Sequence, residues 1–182
     1  ISRMQYYISD ISITHDGGQT LAFDDTVILV DAYTNTSIYL GNYVVTDLES
    51  VIFNLGVKQT LNHLDPSTYP ITHPLAPKSP SMHWGWTSGY RFFALEGLAG
   101  GQVFELHGVG DALYEEIEVV FNETTAENGT LTIDLNAEYN EALRNLDLVT
   151  GFSVHGDESN PEVVTGINNF KNNKLKNNQV LL

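Results

Sequence analysis

Along most of this chain, hydrophobic and polar positions alternate or the apolar residues run in short β-branched blocks. Residues 5–13 (QYYISDISI) alternate imperfectly through Tyr7, Ser9, Ile11 and Ile13, which predicts a strand. A His15-Asp16-Gly17-Gly18 turn follows. The run 26–32 (TVILVDA) suits a buried strand and 36–40 (TSIYL) another. Segment 48–56 sets Val51, Phe53 and Leu55 against Ser50, Ile52 and Asn54, as in a sheet partly covered on both faces. Further strands are predicted at 90–96, 102–107, 115–121, 129–135 and 148–154. Only 137–146 (AEYNEALRNL) has helical spacing, with Tyr139, Leu143 and Leu146 at i, i+4 and i+7. Many short strands separated by turn signals predict an all-β domain, a mainly antiparallel β-sandwich of the immunoglobulin or cupredoxin kind with one short helix. That domain is expected over residues 1–168, followed by an Asn- and Lys-rich tail at 169–182. Ile1 opens almost directly on a strand pattern, as expected of a trimmed mature domain.

The pattern lapses between 58 and 89. Five of the six prolines fall there (Pro66, Pro70, Pro74, Pro77 and Pro80), with three of the six histidines and both tryptophans. Proline fixes φ and removes a backbone donor, so the stretch is neither a central strand nor a helix. A long loop within a compact domain is usually functional or disordered, and the aromatic content here argues for the former.

Composition narrows the function classes. The formal net charge is −15, and three of the eight basic residues, Lys171, Lys174 and Lys176, lie in the last dozen positions. The first 168 residues therefore carry 5 − 23 = −18. Such a body repels phosphate backbones and anionic membranes and attracts cations, which disfavours nucleic acid as a partner. The absence of cysteine excludes disulfides and thiolate metal sites. No segment approaches the ~20 apolar residues of a membrane span.

No G-x-S-x-G, H-E-x-x-H, P-loop or G-x-G-x-x-G motif occurs, so nothing singles out a catalytic nucleophile or a phosphate cradle. Asn35, Asn122 and Asn128 open formal glycosylation sequons of a kind common by chance. The informative stretch is 81–97 (SMHWGWTSGYRFFALEG), in which Trp84 and Trp86 flank one glycine beside His83. Aromatic content of this sort is also what core packing at a sandwich edge provides. If the tryptophans lie on a strand they share one face, and Gly85 lets another backbone approach.

In order along the chain come YYISDISI with its His-Asp-Gly-Gly turn, ILVDAY, VIFNLGV, LDP, HPLAP, M-x-W-x-W-x-S-G-Y and FALEG. These segments, over roughly residues 5–122, resemble the MbnP-like family, and FELHGVG resembles imperfectly its F-x-Y-H-x-G-G segment, with Leu106 in place of the aromatic. More distantly, the chain is similar to the kynurenine-containing copper proteins of the MopE and CorA kind. The resemblance implies a periplasmic, outer-membrane-anchored or secreted bacterial β-sandwich that handles copper and is not an enzyme. It further implies a di-haem partner of the MauG or MbnH type that converts a tryptophan of W-x-W to kynurenine, and a TonB-dependent copper uptake system as a second partner. Ring opening turns an indole, which offers only an N–H donor, into an aryl amine whose nitrogen can approach a metal. Carried over, Trp84 and Trp86 are the modification candidates and His107 stands at the family's histidine position. His73 lies in HPLAP, while His83 and His155 are further metal candidates. His15 and His63 are expected to be surface loop residues.

A second class of function stays open from the acidic residues. Asp24, Asp25 and Asp31, joined by Asp10, Asp16 and Glu96, would suit calcium, although no EF-hand spacing occurs. The alternative is therefore a calcium-dependent or aromatic-platform interaction module that holds no copper.

Overall fold

The computed structural model describes residues 1–34, 36–121, 130–135 and 137–172, with the Asp25 side chain left aside. Strand β1 (Arg3–His15) forms a hairpin with β2 (Gln19–Asp31) through the Asp16–Gly18 turn. β3 (Leu48–Leu55) follows, then a helical turn α1 (Gln59–Asn62), a 3-10 turn at Pro66–Thr68 and the short strand β4 (His83–Gly85). β5 (Gly89–Ala99) and β6 (Gln102–Val109) make a second hairpin, and β7 (Glu115–Val120) comes after it. The chain ends in a helical turn α2 (Tyr139–Ala142), strand β8 (Phe152–Gly156) and helix α3 (Pro161–Asn172).

β2 lines one edge of β1, while the other edge passes from β5, opposite residues 3–6, to β3, opposite residues 8–15. The ladder therefore divides at β1 into a β3–β7 wing and a β5–β6–β8 wing. The division falls at Tyr7, three residues before a bulge at Asp10, whose φ is 49° and whose carboxylate accepts from Lys58 Nζ and Tyr114 Oη. Among the described residues every strand pair is antiparallel except β6–β8, which is parallel. The all-β, mainly antiparallel expectation is met.

Helix α3 closes one face of the second wing. Asn160 caps it, its Oδ1 accepting from the backbone N–H groups of Glu162 and Val163, with Pro161 at the first position. Val163, Gly166 and Ile167 are buried along one stripe. A Cβ at Gly166 would lie 3.1 Å from Leu106 and 3.3 Å from Phe93, so the glycine allows close helix–sheet approach. Phe170 continues the stripe against Tyr6 and Phe93.

Several sequence expectations need correction. Segment 36–40 forms no strand among the described residues, and with no ladder to bury its apolar side chains Ile38 and Tyr39 stay exposed. In 130–135 only Thr130 makes a bridge, although Leu131, Ile133 and Leu135 keep their alternation by packing on the core. The predicted helix at 137–146 shrinks to the α2 turn, with Leu143 and Leu146 held by packing instead. The longest helix, α3, runs across the expected start of the tail at residue 169. The sequon residues Asn35, Asn122 and Asn128, and positions 173–182 of that tail, lie outside the described residues.

Candidate metal centre

Register builds the site. Across the second wing, Arg3, Glu96, Glu105 and Ser153 are cross-strand partners in one row. Two residues along, Gln5, Ala94, His107 and His155 form the next row on the same face. The intervening row, Met4, Leu95, Leu106 and Val154, points to the opposite face, where Leu106 meets α3. One face is thus apolar and helix-covered, and the other carries two polar rows.

Parallel pairing sets His107 directly beside His155. Their ring centroids are 4.4 Å apart, close to the ~4.8 Å between neighbouring strands. The two Nδ1 atoms face each other at 2.6 Å. On the outer side, His107 Nε2 lies 2.9 Å from Glu96 Oε1, which also accepts from Arg3 at 2.7 Å. His155 Nε2 lies 3.0 Å from Ser153 Oγ, which is 2.7 Å from Glu105 Oε2.

His107 is 4% exposed. Burial lowers its pKa to about 4, with the Glu96 hydrogen bond opposing and the Arg91 charge reinforcing the shift. The ring is therefore neutral, and able to offer a lone pair, at ordinary pH. Burial works against ionisation of Glu96, but hydrogen bonds from Arg3 and His107 outweigh it and hold the carboxyl below the usual range.

Trp84, in β4, stacks on His155 with centroids 4.6 Å apart and meets His107 edge-on at 6.2 Å. The Arg91 guanidinium lies 4.3 Å from the Trp84 ring centre and donates to the Ser81 carbonyl. Trp86 goes elsewhere: its ring meets His83 edge-on, and its carbonyl takes a hydrogen bond from His63 Nδ1 at 3.0 Å. The two indoles thus keep different company rather than sharing one environment. Gly85 lies at φ 134°, and nothing comes within 4 Å of where its Cβ would be. Backbone conformation, not close approach by another segment of the chain, accounts for the glycine.

The other candidates stand apart from this pair. His73 stacks on Tyr69 and accepts from the Leu75 N–H, a turn-capping role. His83 packs against Tyr90, its Nε2 buried without a hydrogen-bond partner. His63 is indeed partly exposed, but His15 is 4% exposed and bonded to Asp16, so it is no surface loop residue. Asp24 and Asp31 sit at levels of β2 about five residues apart on the β1 register, on the order of 15–20 Å, and do not converge. Asp31 caps the following turn at Tyr33 and accepts from Gln5, while Asp16 accepts from Thr46 and Asp47. Among the described residues, no three His, Asp or Glu side chains gather as a ready metal-ligand group. Glu96, Glu105, Ser153 and Arg3 were not singled out as a set by the sequence. Their signal was the alternation that puts 94 and 96, 105 and 107, and 153 and 155 on common faces.

Comparisons with known proteins complete the picture. The MbnP family model matches residues 1–163. Among solved structures the chain is similar to MbnP from Methylosinus trichosporium, with 17% identity and a TM-score of 0.42. That likeness covers 66% of this chain and 60% of the other, so the match spans under two thirds of the solved protein. No curated protein matches. Among the described residues, no helix is long and apolar enough to cross a membrane. With nine-tenths of its length inside the family model, the chain belongs to the MbnP family.

Proposed function

We propose that this chain binds copper through His107 and His155, with Trp84 giving a third donor once a di-haem partner has oxidised it to kynurenine. The metal is cargo, and the chain holds it without catalysing turnover. The single observation that carries the reading is the pair of Nδ1 atoms facing each other at 2.6 Å beneath a stacked tryptophan.

Fit is a matter of donors and reach. Two imidazoles bonded to one ion at ~2.0–2.1 Å each stand at most ~4 Å apart, so this pair, at 2.6 Å, needs to open by at most ~1.5 Å. Neutral imidazole suits copper, and a low ligand count suits the monovalent ion. Glu96 holds the outer nitrogen of His107, the carboxylate–histidine arrangement that orients metal-ligating imidazoles elsewhere. Trp84 is 44% exposed, so a macromolecular oxidant can reach its edge. An extracytoplasmic location, and delivery to a TonB-dependent copper uptake system, belong to the same reading.

The test is copper affinity by competition with a chelating indicator for the parent, His107→Ala, His155→Ala and His73→Ala. Loss of either facing imidazole should weaken binding by at least ~10-fold, while His73→Ala should leave it unchanged. Full affinity in both His107→Ala and His155→Ala would overturn the assignment.

A further inference from the structure

We infer that Ser153 and Glu105 are positioning residues that hold His155 with its proton on Nε2 and aim its Nδ1 lone pair at His107. An ionised carboxylate only accepts, and Ser153 has one hydroxyl proton to give. Ser153 Oγ lies 2.7 Å from Glu105 Oε2 and 3.0 Å from His155 Nε2. The charge-assisted bond is the stronger and the shorter, so the hydroxyl proton goes to Glu105. Ser153 Oγ is then an acceptor towards His155, whose Nε2 must carry the ring proton. That leaves His155 Nδ1 bare.

The mirror arrangement acts on His107. Glu96, fixed by Arg3, accepts at 2.9 Å from His107 Nε2 and leaves its Nδ1 bare too. Each ring is thus set from its outer side by a carboxylate, directly on one side and through a hydroxyl on the other. Glu96, Glu105 and Ser153 occupy one cross-strand row, and both histidines occupy the next. Two lone pairs aimed at each other across 2.6 Å repel unless a cation lies between them. The relay therefore presets a cation trap, and its consequence for copper rests on the function proposed above.

Nitrogen-15 NMR of the metal-free protein reads the tautomers without reference to copper. In the parent, His155 should carry its proton on Nε2. Ser153 is exposed, so Ser153→Ala leaves the core untouched and frees His155 to protonate Nδ1 and donate to His107. Ser153→Thr keeps the hydroxyl and should keep the parent tautomer. Cu(I) affinity should fall about 10-fold in Ser153→Ala and recover in Ser153→Thr. A parent His155 protonated on Nδ1, or a tautomer unmoved by Ser153→Ala, overturns the relay. The expected tautomers in a parent that binds no Cu(I) support the relay and overturn the copper reading alone.

Discussion

Burial disfavours the imidazolium form of His107 more than the Glu96 hydrogen bond favours it, so its pKa falls from 6.5 to about 4. The unfolded chain takes up this proton near pH 6.5, the folded chain only near 4. Stability from this residue is complete above the higher value and is lost as pH falls through the lower one, a span on the order of 3 kcal/mol. Urea denaturation of the parent and His107→Gln across that window should show a steeper acid loss in the parent. Equal slopes would assign the acid sensitivity to other groups. The tryptophans differ at this scale as well. Trp84 lies on the two imidazoles, whereas Trp86, at 62% exposure, lies on His83. Peptide mapping after exposure to the proposed di-haem partner, verified as active, should find one oxygen gained and one carbon lost at Trp84, with Trp86 intact. The reverse pattern would detach the modification from the His107–His155 pair. Sequence marked both indoles and both histidines, but only parallel register brings His155 beside His107.

Among the elements, the hairpins were legible because period-2 patterning and the Asp-Gly-Gly turn are local signals. The β6–β8 pairing was not, since it joins segments about 48 residues apart in sequence. Helix α3 left a start signal, Asn160-Pro161-Glu162, masked by the Asn and Lys composition that reads as tail. Asn160→Ala removes the cap and should lower stability by about 1 kcal/mol in thermal or urea unfolding. No change would mean that packing of Val163 and Ile167 alone fixes the helix start. At the tip of the β4–β5 hairpin, His63 faces two groups that only accept: the Trp86 carbonyl and, at 3.1 Å, Asp111. The hydrogen bond to that carbonyl, then the one to Asp111, raises the His63 pKa. A raised pKa makes this clasp strongest below the ordinary histidine value and releases it as pH climbs through the raised one. The Trp86 indole N–H resonance should accordingly move with pH over that range in the parent and stay still in His63→Gln. Movement of equal size in the variant would remove His63 from the hairpin.

For the molecule as a whole, the charge of −15 was legible from composition, and it sets how partners approach. If the proposed di-haem partner docks through a basic patch, association should slow as salt rises, by an amount measurable in stopped-flow mixing. Salt-independent rates would point to apolar docking instead. In the two-wing ladder, α3 covers one face of the second wing and leaves the opposite face free for two polar rows. Composition could not locate those rows, because each draws residues from four separate strands. Anomalous diffraction at the copper edge from crystals of the copper-loaded protein should place one peak between His107 Nδ1 and His155 Nδ1, beside residue 84. A peak at His73, at His63 and His83, or on the acidic surface, with none between His107 and His155, would contradict it.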